Sequence, residues 1–200
     1  MIVVGWNAIL GTVLATPVAA FIAAASREGE PQEDGSWAWA YDFAVGGVSH
    51  SARLEGSFVP QGVQWNMFIT KADEYSNFHW FSGVSNILAT SGQWNLNLNP
   101  TDPTAFMQID WSRNPTTGAG DIKYTNVIPG ANENGAYIAY GLTTQSLDAF
   151  YEIFSAASDN MTSIEWNRST KEGRVADELF YGDAEWHCWD GDLEDTVCSS

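Results

Sequence analysis

Asp110 and Glu165 stand at equivalent places in two similar stretches, IDWSR (109–113) and IEWNR (164–168). Two carboxylates facing each other at a set distance are what glycoside hydrolysis requires. In both stretches, however, the acid alternates with the Trp, so on a strand it points away from the Trp face. There an ion pair with Arg113, Arg168 or Lys123 is the plainer use of the charge. A second acidic group lies near the C-terminus in WDGDLED, where Asp190, Asp192, Glu194 and Asp195 surround Gly191 and Leu193. Clustered carboxylates with a glycine to permit the bend suit Ca2+, but the spacing is not that of a twelve-residue EF-hand loop. A solvated acidic loop would use the same residues.

The third set is aromatic: Trp37, Trp39, Trp65, Trp80, Trp94 and Trp111. A cavity lined by these rings would stack a carbohydrate or hold a small apolar ligand. Each ring also buries about 150–250 Å² in a core, so packing is the competing use of the same residues. His50, His79 and His187 are isolated from one another in the chain. There is no G-x-S-x-G, P-loop or H-E-x-x-H segment, so no catalytic residue is assigned.

The elements that must carry these side chains read as strands. Trp37, Trp39, Tyr41, Phe43 and Val45 alternate with Ala38, Ala40, Asp42 and Ala44. The same period of two recurs at Val63, Trp65, Met67 and Ile69, at Trp94, Leu96 and Leu98, and at Ala105, Met107, Ile109 and Trp111. That is the pattern of antiparallel strands with one buried and one wet face. Gly46-Gly47, Pro60-Gln61-Gly62, NPTDP (99–103), NPTTG (114–118) and Pro129-Gly130 mark turns or strand ends. The spacing predicts an all-β domain: an antiparallel meander of about ten or eleven strands, closed as a barrel or folded as a sandwich. The strands are placed near 37–45, 48–59, 63–70, 78–83, 93–98, 105–112, 121–127, 136–142, 148–155, 161–168 and 173–180. LDAFYEIF (147–154) fits a helical stripe as well as a strand buried on both faces. Its hairpin neighbours favour the strand.

The chain divides into three parts. Residues 1–26 carry no charged side chain and end in small residues, Ala23-Ala24-Ala25. This predicts an apolar helical segment serving as an export signal, or as a retained membrane or assembly helix. No basic residue follows Met1, and Pro17 would kink a helix here. Residues 27–36, REGEPQEDGS, predict an acidic linker. Residues 37–200 form the β-domain. Cys188 and Cys198 are separated by nine residues, and an exported chain would join them in a C-terminal disulfide loop. Twenty-five acids against eight bases give a net charge of −17, which repels nucleic acid and anionic lipid.

The stretches SWAWAY, VQWNMFIT, SNFHWFSG, TSGQWNL, IDWSRNPTTGAGDIKYTNV, IEWNRSTKEGRV and EWHCWD resemble a group of uncharacterised exported envelope lipoproteins of Bacteroidota and related marine bacteria. The resemblance spans most of residues 36–200 and rests on Trp-bearing hairpins and turns. It implies an exported β-domain in the periplasm, at the outer-membrane surface or outside the cell, and brings no known reaction. Such proteins carry a lipid on a cysteine after a small-residue run. Here IAAAS (22–26) has that shape, but Ala25 stands where the cysteine would be. The expected function is therefore a non-catalytic envelope domain that binds a small ligand or presents a surface. The alternatives are a self-assembling, pilin-like subunit that keeps its N-terminal helix, and a hydrolase using paired carboxylates.

Overall fold

Strand-forming side chains run in alternation through most of the chain, and the backbone follows them. The structure, a computed structural model, describes residues 27–198. The N-terminal helical segment expected over residues 1–26 lies outside the described residues.

Among the described residues there are fourteen strands and one short helix. The strands are β1 (Glu30–Pro31), β2 (Trp37–Val45), β3 (Val48–Val59), β4 (Gly62–Lys71), β5 (Tyr75–Ser85), β6 (Ser91–Asn99), β7 (Asp102–Arg113), β8 (Gly120–Asn126), β9 (Tyr137–Leu142), β10 (Ala149–Ser155), β11 (Asn160–Trp166), β12 (Gly173–Asp177), β13 (His187–Trp189) and β14 (Asp195–Thr196). The helix is α1 (Glu178–Tyr181). The strands pair in chain order from β1 to β14. The ladder is an open antiparallel meander.

The expected all-β meander is present, with two corrections. The strand count is fourteen, because short strands are added at the two ends: β1, β13 and β14. Neither a closed barrel nor a two-sheet sandwich forms, since β1 and β14 do not pair with each other. Both edges are two-residue strands, and Pro31 in β1 has no N–H to offer a further strand, so the ladder stops there. β1 falls within the segment read as a linker and pairs with β2, Pro31 opposite Trp37. LDAFYEIF is strand, as β10.

The ladder divides into two compact units. Within the described residues, unit 1 holds 27–89 and 94–105, and unit 2 holds 90–93 and 106–198. In unit 1, cross-strand rows place Trp39, Leu54, Met67 and Phe81 on one face, with Tyr41, Ala52, Ile69 and Phe78 beside them. Met67 and Ile69 are fully buried. Arg53, Glu55, Asn66 and His79 belong to the opposite face. In unit 2 the core is Phe106, Met107, Ala136, Ile138, Ala139, Ala149 and Ile153.

α1 replaces the end of the last expected long strand for a local reason. Asp177 accepts the Phe180 N–H at 3.1 Å as N-cap, and Gly182 at φ +82° closes the other end.

Candidate functional site: an aromatic groove in unit 2

The tryptophans read as ligand candidates are placed individually, and their commonest partner is a glycine on a neighbouring stretch of chain. Trp39 lies against Gly29, Trp65 against Gly56 and Trp111 against Gly92. A Cβ on any of these glycines would come within 2.6–2.9 Å of the indole. Trp65 Nε1 donates to Ser85 Oγ at 3.0 Å. Trp94 meets Phe81 edge-on at 5.1 Å, and Trp80 sits at a bulge in β5, tilted against Phe78 at 5.6 Å. Trp37 is 38% exposed at the end of its row. Five of the six belong to unit 1 and Trp111 belongs to unit 2.

A different aromatic set comes together in unit 2. Register puts Trp111, Ile122, Tyr140, Tyr151 and Ile164 in one cross-strand row, and Gly120, Leu142, Ala149, Trp166 and Gly173 in the next on the same face. From β8 to β11 the rings run Tyr124, Tyr140, Tyr151, Trp166. Their centroids are 6.3, 5.5 and 5.5 Å apart in turn. The first and last pairs are near-parallel, at 20° and 17°. The middle pair, Tyr140 and Tyr151, is tilted at 47°.

The row borders a groove of about 460 Å³, within the size range of small-ligand sites. Ile122, Tyr140, Leu142, Tyr151, Trp166 and Arg168 line it. Gly120 and Ala149 contribute a hydrogen and a methyl beside the large rings, so the floor stays low. Tyr140 is 38% exposed, so part of its ring is open to the groove. At the rim Arg168 is held by Asp148. Its backbone N–H donates to Oδ1 at 2.9 Å, Nε to Oδ2 at 3.0 Å, and Nη2 reaches Oδ2 at 2.9 Å. These bonds, the backbone one first, lower the Asp148 pKa and keep the pair charged beside the groove. Burial pushes the Tyr124 phenol up, and Tyr140 acts in the same direction, so Tyr124 stays a neutral hydrogen-bonding group. Tyr140, Tyr151 and Trp166 give the groove an aromatic lining, with an ion pair at its edge.

The acids are placed as follows. Asp110 accepts from Gln93 Nε2 at 2.7 Å and Gln108 Nε2 at 2.8 Å. Glu165 takes Arg174 Nε at 2.8 Å and Nη2 at 2.6 Å, and the guanidinium lies 4.2 Å from the Trp186 ring centre. Asp110 is on β7 and Glu165 on β11, four strand spacings apart. At about 4.8 Å per strand the separation is about 19 Å, well beyond the reach of a carboxylate pair acting on one glycosidic bond. Glu165, Glu152, Glu172 and Asp190 border a second cleft of about 680 Å³ beside the disulfide. Asp190 Oδ1 caps its own turn, accepting the N–H groups of Asp192 at 2.9 Å and Glu194 at 3.1 Å. Among the described residues no three His, Cys, Asp or Glu side chains gather as a metal site. Cys188 and Cys198 form the expected disulfide across the β13–β14 hairpin.

The row was missed by sequence reasoning because each strand contributes a single ring to it. Only the register of four strands brings Tyr124, Tyr140, Tyr151 and Trp166 together. Comparison with protein-family models, with curated proteins and with solved structures finds no match.

Proposed function

We propose that the protein is an exported, non-catalytic envelope domain whose unit 2 groove binds a small ligand presenting a flat apolar ring face, a carbohydrate or a small apolar molecule. The observation that carries this reading is the run of neighbouring rings Tyr140, Tyr151 and Trp166 lining an open groove. Tyr140 and Tyr151 line this groove, and Tyr140 is partly bare there. Export is supported by the uncharged residues 2–26 and by the disulfide, a bond that persists in oxidising compartments. A binding role fits the dispersal of the acids, since Asp110 and Glu165 are each engaged by neighbours.

The test is a calorimetric titration with a panel of neutral oligosaccharides and a planar aromatic dye. We expect at least one probe to bind, and Tyr140→Ala or Tyr151→Ala to weaken it about tenfold or more, the scale of one lost aromatic anchor. Phe58→Ala, at an exposed position in unit 1, leaves the affinity unchanged. No binding by any probe, or equal binding by all variants, contradicts the proposal.

A further inference from the structure

Helix α1 leaves its large side chains in water. In ELFY (178–181), Leu179 is 72% and Phe180 78% exposed, and Tyr181 beside them is partly bare. Apolar residues exposed singly are ordinary, but adjoining ones mark interaction surfaces. Four residues are too few to hold a helix on their own. This one is fixed by its surroundings. Asp177 caps its first turn and is itself tied to Asn160 and Thr162. The Leu179 N–H donates to Asn160 Oδ1 at 3.2 Å, and the Gly182 N–H donates to the Glu178 carbonyl at 2.8 Å. The Tyr181 ring lies flat on His187, with centroids 3.8 Å apart and planes 10° apart, and His187 Nε2 is 3.0 Å from Asp183 Oδ1. Phe180 meets the Tyr181 ring edge-on at 4.8 Å. The fold thus spends several polar anchors on a helix whose Leu and Phe it does not cover.

The charge around these residues has one sign. From Val175 to Cys198 the chain carries eight acids and neither Lys nor Arg. Asp177 and Asp183 are engaged locally. Glu178 and Glu185 are exposed, and among the described residues neither joins an ion pair. An apolar centre with an acidic rim repels anionic lipid, and it repels a second copy of this chain, which brings the same acids. It complements the opposite arrangement, an apolar stripe bordered by Lys or Arg. We propose that α1 is a docking knuckle for a cationic amphipathic segment of another protein. Leu179 and Phe180 are its apolar anchors, and Glu178 and Glu185 supply the counter-charge. The knuckle is separate from the aromatic groove. The groove is lined by Trp166, opposite Gly173, whereas α1 follows Asp177, opposite Thr162, about 13 Å further along the strands.

The probe is a labelled synthetic helix of about eighteen residues, Leu on one face and Lys on the other, followed by fluorescence anisotropy at physiological salt. The full-length chain is expected to bind it and to ignore the same helix with Glu in place of Lys. Leu179→Ser with Phe180→Ser is expected to weaken binding about tenfold or more. Phe58→Ser, at an exposed apolar position in unit 1, is expected to leave it unchanged. Glu178→Gln with Glu185→Gln is expected to weaken it about threefold or more and to flatten its salt dependence. Equal binding by the parent and the serine variant would mean that net charge alone attracts the probe. Neutral phosphatidylcholine vesicles that bind the parent and not the serine variant would assign the patch to lipid. A concentration-dependent dimer lost in that variant would assign it to self-association. Each of these results, or no binding by the parent, overturns the proposal. Should the serine variant not fold, the glutamine variant still decides, since an unchanged affinity and salt slope overturn it equally.

Discussion

Gly173 shows how closely single residues are fitted in this sheet. It is buried on β12 between Trp166 of β11 and Trp189 of β13, its cross-strand partners. A Cβ there would run into the Trp189 ring and come within 2.5 Å of the Glu165 carbonyl oxygen. Trp189 is itself pinned, its Nε1 donating to the Lys171 carbonyl at 2.6 Å. Gly173→Ala should therefore destabilise the protein by about 1–3 kcal/mol, the usual cost of overpacking, read as a lower midpoint in chemical denaturation. An unchanged midpoint would mean that Trp189 is free to swing away. The tryptophans were plain in the sequence, but their glycine partners were not. Gly56 and Trp65, or Gly92 and Trp111, meet only after strands pair, so whether a Trp lines a cavity or covers a glycine depends on register.

Elements were legible in proportion to their length. The alternation and the turns between strands located β2 through β12, whose five to twelve residues are long enough to show a period of two. β1, β13 and β14 carry two or three residues each and show no period. α1 is also too short for an apolar stripe, and only its caps mark it. Asp177 does more than cap: its carboxylate also accepts from Thr162 Oγ1 at 2.6 Å and Asn160 Nδ2 at 2.9 Å, tying β12 to β11. Partial burial alone would raise its pKa, but the bonds from Thr162, Asn160 and the Phe180 N–H outweigh it, and the net shift is downward. A carboxyl lowered by folding contributes stability above its unfolded value of about 3.9, and that stability is lost as pH falls through the folded value. Denaturation midpoints measured from about pH 6 to about pH 3 should fall for the parent, and Asp177→Asn should reduce the fall. Equal pH slopes in parent and variant would show that the cap does not titrate with folding.

At the scale of the molecule, the all-β class was written in the chain and the closure was not. Alternation states which side of a strand is apolar; whether a sheet closes depends on strand tilt, stagger and edges. Here a proline and two-residue strands end the ladder at residues 30–31 and 195–196. The proposed binding site follows the same logic: unit 1, richest in tryptophan, packs most of its rings, while unit 2 leaves tyrosines beside a groove. The net charge of −17 keeps polyanions away. The most direct measurement is a two-dimensional amide spectrum of the intact protein, titrated with the tightest-binding neutral oligosaccharide or planar dye. The account predicts shifts concentrated at Ile122, Tyr140, Leu142, Tyr151 and the indole N–H of Trp166. Shifts confined to β2–β5, or none at saturating probe, would contradict it.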